Sequence, residues 1–436
     1  MRKIIVNARI ITVNKGNDII DSGHILIEGD EILKAGPGEI SENEKNEADE
    51  IFDAQKMIVM PGFVNAHTHI PMSIFKGYAD DLPLRQWLNS RIFPAEAKWI
   101  TPHNTAIATK WALCEMIKSG TTTFNDMYFF SDIIAEECAK TGLRGVLNES
   151  LSDFPCPGFK TADEAVERIR RNILRYEGHP LISASVPAHA PYSCSRETLL
   201  KGKKTADKYG CLFHIHLSET EAENSASVEK TGMTPTAYLH SIGILDKNTV
   251  AAHCVYLSPE DMETFANTSA SAVHCPKSNL KLGSGMADIK KYGDAGINVA
   301  LGTDGSASNN NLNMVEEMRF ASLMAKGIHR DPTVMTAMES IRMATRNGAH
   351  ALGLGEITGS IERGKKADLI FINPEENMAP VYSPVSSVVY AMETHNIVHS
   401  MVNGEWVMKN RNIEKIDYPE VLKEIEYIRG KIENDI

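Results

Sequence analysis

No stretch of this 436-residue chain approaches the ~20 consecutive apolar residues that a membrane-spanning helix needs. Cysteines are few and scattered: Cys114, Cys138, Cys156, Cys194, Cys211, Cys254 and Cys275 are odd in number and form no C-x-x-C pair. That excludes a disulfide framework and fits reduced thiols. Positive charge is short, with 45 Lys and Arg against 57 Asp and Glu for a net −12, so a phosphate backbone would be repelled and no nucleic-acid partner is expected. No G-x-G-x-x-G opens a helix, which removes the usual support for an open doubly wound sheet. Gly359-x-x-x-x-Gly364-Lys365 falls short of a phosphate loop, because Lys366 stands where Ser or Thr should be. The first residues, Met1 to Arg9, are strand-like and lack the apolar core of a signal peptide, so a cytoplasmic location away from membranes is expected.

What is present divides into three textures. Residues 1 to about 58 alternate short apolar runs (Ile4–Val6, Ile10–Val13, His24–Ile27, Ile32–Ala35) with turns at Gly29-Asp30 and Gly36-Pro37-Gly38. The same texture returns in Ala367–Ile372, Ile397–Val402 and Gly404–Val407, before a charged helix expected over Tyr418–Ile432. Two β-rich ends around a different middle predict a β-sandwich module built from residues 1–58 and 358–436. In the middle, residues 59–357, eight strand-like runs (Met57–Ala66, Thr121–Phe124, Gly145–Leu147, Ile182–His189, Leu212–His216, Thr249–His253, Ser271–His274 and Asn298–Gly302) alternate with amphipathic helices. That alternation predicts an α/β fold, a (β/α)₈ TIM-like barrel.

A barrel of this kind carries its chemistry at the carboxyl ends of its strands. The first run ends in Ala66-His67-Thr68-His69, whose two imidazoles share a face because residues i and i+2 of a strand do. The fifth ends in His214-Ile215-His216-Leu217-Ser218-Glu219, the sixth in His253 and the eighth in Thr303-Asp304-Gly305. Each alone is more simply a structural histidine or a helix cap. Together, neutral imidazoles and a carboxylate at four strand mouths suit a borderline divalent cation with a position left for water.

These segments resemble the amidohydrolase superfamily, and within it the methylthioadenosine/S-adenosylhomocysteine deaminase family. The resemblance runs over essentially the whole chain through Pro61–His69, His214–Glu219, Ala252-His253-Cys254, Leu301–Gly305 and Gly359–Leu369. It implies that His67, His69, His216 and Asp304 are metal ligands. It further implies that Glu219 shuttles protons, that His253 orients the attacking water and that Asp304 takes up its proton. Substrate contacts are implied for Trp87, Glu96 and His189, with Glu96 on the ribose hydroxyls. One divalent metal is expected, zinc foremost with iron or manganese as alternatives, because no lysine ends the third or fourth strand to bridge a second. The implied activity is deamination of a small-molecule adenine nucleoside in a homo-oligomeric enzyme. The other known zinc deaminase design needs H-x-E and P-C-x-x-C, and neither occurs here.

Simpler roles stand beside several of these. His214 reads as packing behind His216, His274-Cys275 as structural, Glu96 as an exposed cap and Trp87 as core. Guanine, cytosine and halogenated triazines are substrates of the same superfamily, and a non-catalytic scaffold on this fold is a further alternative. A ribose-binding carboxylate favours nucleosides over free bases. Relatives that accept S-adenosylhomocysteine carry arginines after the third strand. Here Glu149 stands near the first such place and only Lys160 follows, so repulsion of a charged 5′ substituent is expected.

Overall fold

The structure, a computed structural model, describes residues 1–435. Eight parallel strands form the barrel: β1 (Phe63–Thr68), β2 (Thr121–Tyr128), β3 (Arg144–Glu149), β4 (Ile182–Ser183 and Ser185–Ala188, interrupted at Ala184), β5 (Leu212–Leu217), β6 (Thr249–His253), β7 (Ser271–His274) and β8 (Asn298–Leu301). The ring closes where Asp304 N–H donates to His67 O at 3.0 Å and the Asn65 amide reaches Thr303 at 2.7 Å. β1, β2 and β3 are buried along their whole lengths, as strands covered on both faces must be. The helices between them start where a hydroxyl can satisfy a first-turn N–H. Thr101, Thr161, Ser195, Thr220 and Ser258 each accept one. Each of the eight expected runs overlaps a barrel strand, and the expected helices Asn104–Lys118, Asp132–Thr141, Thr161–Tyr176, Arg196–Tyr209 and Pro259–Asn267 lie between them to within two residues at each end.

Three details differ from the sequence reading. The run Met57–Ala66 is two elements: Ile58–Pro61 joins the terminal sheet, while Phe63–Thr68 is the first barrel strand. Gly62 makes the step between them, since a Cβ there would lie 2.1 Å from the Thr122 side chain. The expected strands Ile4–Val6 and Ile10–Val13 are one strand, Arg2–Ile11, bulged around Asn7 at φ +53°. The C-terminal part also reaches beyond its sheet, because Val421, Ile428 and Ile432 of the last helix, Tyr418–Glu433, belong to the main core.

The terminal sheet has eight strands, with Ile58–Pro61 paired on one side to the N-terminal Arg2–Ile11 and on the other to Leu369–Ile372. Ile5, Ile10, Ile25, Ile27, Val59 and Phe371 form its own core. Arg144 at the start of β3 ties it to the barrel through a buried pair with Asp368, Nε to Oδ2 at 2.9 Å and Nη2 to Oδ1 at 3.1 Å. No helix among the described residues is long and apolar enough to cross a membrane.

Candidate active site

Four strand ends deliver imidazoles and carboxylates to one spot at the barrel mouth. Asp304 Oδ1 lies 3.4 Å from His67 Nε2 and 3.2 Å from His69 Nε2. His69 Nε2 is 3.2 Å from His216 Nε2. The ligand atoms of His67, His69 and Asp304 fall within 4.8 Å of one another, and so do those of His67, His216 and His253. The backbone is bent to achieve this: Ser218, His253 and Asp304 all have positive φ, at +50°, +70° and +62°.

The outer ring nitrogens show what the inner ones can do. His69 Nδ1 is 2.6 Å from Met127 O, and His216 Nδ1 is 2.6 Å from His189 O. A carbonyl only accepts, so both Nδ1 atoms carry a proton and each ring turns its Nε2 inward. The two Nε2 atoms face each other at 3.2 Å, close enough to share one positive charge between them. His67 Nε2 is buried with no hydrogen-bond partner, and its Nδ1 rests 3.0 Å from His214 Nε2. His214 therefore packs behind His67, and Asn125 in turn holds His214 at 3.0 Å. This donor set of imidazole and carboxylate fits a divalent cation.

Burial sets the protonation of the neighbours. It lowers His67 to about 3 and His189 to about 4, keeping both rings neutral. His69 is drawn the other way, to about 9: burial opposes its charge, but the Asp304 carboxylate outweighs burial. Burial raises Glu219, whose Oε1 accepts from Ser284 Oγ at 3.3 Å and whose Oε2 lies 3.8 Å from His253 Nε2. His253 is held through Nδ1 by the Asn279 amide at 3.0 Å. The far oxygen of Asp304 meets Ser278 Oγ at 2.6 Å and Ser308 Oγ at 2.8 Å, both fully buried.

The pocket above the cluster opens to solvent and is lined by polar and apolar side chains. Trp87, Glu96, His189, Glu219, His253 and Asp304 all line it, with apolar walls from Leu84, Leu88, Phe93, Phe129 and Phe154. Glu96 is not the exposed cap that its Phe-Pro context allows. It is 4% exposed, accepts from the Tyr128 hydroxyl at 2.7 Å, and is pushed up to about 7 by burial. Trp87 is wall and core at once, its indole N–H anchored on Ala79 O at 2.9 Å.

Glu149 does not stand where the sequence reading puts it. Its carboxylate is wholly buried and accepts from Phe130 N–H, Ser131 N–H and Ser131 Oγ at 3.0–3.1 Å, with Arg168 Nε at 3.4 Å. It caps the helix Ser131–Thr141 and cannot repel a substrate. Lys160 is exposed and also absent from the lining. The reason for disfavouring a charged substituent changes: among the described residues no Lys or Arg lines the pocket.

Sequence reasoning missed the end of β2. The expected strand stops at Phe124, yet it runs on through Asn125 and Asp126 to Tyr128. Asp126 accepts from Thr68 Oγ1 at 2.8 Å and Ile70 N–H at 2.7 Å, fixing the turn that follows His69. The polar pair Asn125-Asp126 was the signal, by the same strand-end rule that found the histidines.

Comparison with known proteins now decides the family. The sequence model of the Amidohydrolase family matches residues 58–407. The chain belongs to the amidohydrolase family. It is 40% identical over 436 residues to a 5-methylthioadenosine/S-adenosylhomocysteine deaminase of Thermodesulfovibrio yellowstonii, covering 99% of each chain. It is 37% identical over 439 residues to the protein of the same name in Bacillus cereus, again covering 99% of each. The solved structure of a zinc-bound adenosine deaminase from Xanthomonas campestris superposes with a TM-score of 0.95 at 32% identity, over 99% of this chain and 98% of that one. Atrazine chlorohydrolase from Arthrobacter aurescens TC1 shares the fold, with a TM-score of 0.91 at 23% identity over 98% and 100% of the two chains. This amidohydrolase is thus a metal-dependent hydrolase with a His-rich site for a divalent cation.

Proposed function

We propose that this amidohydrolase removes the 6-amino group of an adenine nucleoside carrying an uncharged 5′ substituent, giving the inosine analogue and ammonia. The observation that carries this reading is one pocket holding the His/Asp cluster, a buried Glu219 beside His253 and a buried Glu96 with no basic partner. 5′-Deoxyadenosine, 5′-methylthioadenosine and adenosine fit it better than S-adenosylhomocysteine, whose carboxylate would find no Lys or Arg in its walls.

His67, His69, His216 and Asp304 would hold the cation, with zinc the first choice for this donor set and iron or manganese the alternatives. Bound there, it supplies a water acidic enough to be deprotonated near neutral pH. Asp304 accepts the proton of the attacking water, and its second oxygen is kept in place by Ser278 and Ser308. His253, fixed by Asn279, orients that water toward the ring carbon that bears the amine. Burial raises the Glu219 carboxyl, which favours its protonated form. Glu219 delivers that proton to the adjacent ring nitrogen. The proton taken up by Asp304 passes to the amino group, which leaves as ammonia, and the proton of the new C6 hydroxyl restores Glu219 as the carbonyl forms. Glu96 accepts from the ribose hydroxyls, beside the Tyr128 hydroxyl it already accepts from. His189 contacts the bound nucleoside from the opposite segment, and Trp87 closes the wall.

Ammonia release from metal-replete enzyme tests this directly, with 5′-substituted adenosines, S-adenosylhomocysteine, adenine, guanine and cytosine as substrates. Strong turnover of the uncharged nucleosides with S-adenosylhomocysteine lagging is expected. Turnover of free bases alone would overturn the nucleoside assignment and the ribose role of Glu96 together.

A further inference from the structure

A second, open pocket shares none of the catalytic pocket's lining residues. Lys118, at the end of the helix Pro102–Lys118, and Arg411 contribute cations to it, and Trp111 and Tyr418 contribute a stacked aromatic pair with centroids 5.4 Å apart. The cations are unusual in their partners. Arg411 spends one nitrogen, Nη1, on the carbonyls of Lys118, Thr394 and Ile397 at 2.6–3.0 Å. Its Nε and Nη2 meet no acceptor among the described residues, and those two nitrogens form the edge of a guanidinium that grips an oxyanion with two parallel hydrogen bonds.

Lys118 Nζ likewise has no hydrogen-bond acceptor or carboxylate among the described residues, and it rests 3.6 Å from the centre of the Tyr418 ring. Arg411 is near enough to repel it. The nearby acid, Glu115, is already engaged by Lys76 Nζ at 2.8 Å and by Leu312 N–H at 3.2 Å. The one carboxylate in the pocket wall, Glu115, is the one that Lys76 holds, so neither Lys118 Nζ nor the free edge of Arg411 has an acidic partner among the described residues. An anion between them supplies that counter-charge.

We propose that this cavity is a binding site for a small molecule bearing an oxyanion, carboxylate or phosphate, and a flat apolar group. The oxyanion takes the free edge of Arg411 and the ammonium of Lys118, and the flat group lies along Trp111. The site is separate from the catalytic pocket and does not depend on the deamination reading. Its walls include Lys76, seven residues after His69, and Asn311, seven after Asp304, so an occupant touches the two segments that follow these residues.

Calorimetric titration of the metal-loaded protein with phenyl phosphate, benzoate, inorganic phosphate and acetate tests the proposal. Saturable binding of phenyl phosphate or benzoate is expected, tighter than that of the matching ion without a ring. Which aromatic probe binds more tightly distinguishes a phosphate ligand from a carboxylate one. In Lys118→Met, which changes a half-exposed side chain outside the catalytic pocket, affinity should fall about tenfold or more, the loss of one charge-assisted contact. Absence of saturable binding would overturn the site. So would binding of equal strength in Lys118→Met, since the anion would then be held at the catalytic metal.

Discussion

Glu219 and Glu96 are both buried carboxyls raised by burial, and their surroundings separate their work. Glu219 lies beside His253 at the cluster, whereas Glu96 accepts from the Tyr128 hydroxyl, and the proposed roles of proton donor and ribose acceptor follow that division. Glu219→Gln keeps the shape and removes the transferable proton. Deamination should fall roughly 10²–10⁴-fold, the usual range for a lost general acid, while metal content by elemental analysis is unchanged. Loss of metal in that variant would reassign Glu219 to the ligand set. Two ligand groupings share His67, one including His216 with His253 and one His69 with Asp304, and metal content separates these roles too. His216→Ala should lose the metal and His253→Asn should retain it while losing activity. Glu96 offers a test by pH. The folded protein holds its proton up to about 7, whereas the unfolded chain releases it near 4.5. Between those values the native state binds more protons, so this group makes stability fall as pH rises through the window, and contributes no further slope above it. Glu96→Gln removes that slope, up to about 1.4 kcal/mol per pH unit. Thermal midpoints of both proteins from pH 4.5 to 8 should therefore diverge, and parallel curves would show that the carboxyl ionises as it does in water.

At the scale of strands and turns, the site is a set of strand endings, and that is why so much of it was legible in the sequence. His67, His69, His216, Glu219, His253 and Asp304 all stand within a few residues of where a period-2 apolar run gives out, and the barrel rule turns such endings into one mouth. Glu149 defeats the same reasoning. It too ends a strand, but the N–H groups of Phe130 and Ser131 on a neighbouring segment claim its carboxylate, and no spacing in the sequence announces that pairing. Ser278 and Ser308 carry no such signal: Ser278 follows β7 on the short helix Pro276–Lys281, Ser308 follows β8 on Ser306–Asn309, and only the fold brings both onto Asp304. Their work is nonetheless measurable. The double variant Ser278→Ala with Ser308→Ala frees one oxygen of Asp304 to turn away, and should weaken metal binding about 10–100-fold in chelator competition. Unchanged affinity would mean that the backbone alone aims the carboxylate. Gly302 is the stricter element-level requirement. A Cβ there would meet His67 N, His67 Cβ and Val273 Cγ1 at 2.9 Å, so even alanine would push β8 away from β1, where Asp304 and His67 meet.

At the scale of the whole molecule, the question is what holds a barrel and a sheet drawn from both chain ends in one piece. The sheet has a core of its own on one side. On the other, Ile58, Met60, Ile370 and Ile372 join the main core with the barrel, and the buried Arg144–Asp368 pair adds a polar tie to that packing. Asp368 accepts from Arg144 through both oxygens and from Asn403 N–H at 2.7 Å, while Arg144 also donates to Pro180 O at 2.9 Å. Both side chains are almost fully buried, so removing one partner strands the other's charge away from water. Arg144→Met keeps most of the apolar stem and deletes the guanidinium, and it should destabilise the protein by about 3–5 kcal/mol. Arg144 lies at the amino end of β3, opposite the mouth where the catalytic groups gather, so kcat/KM of the protein that remains folded should stay within about twofold of the parent. A lowered thermal midpoint with activity preserved at low temperature would establish the pair as a structural joint. A large fall in kcat/KM at a temperature where the variant is fully folded would mean instead that the sheet sets the geometry of the mouth through the length of the strands.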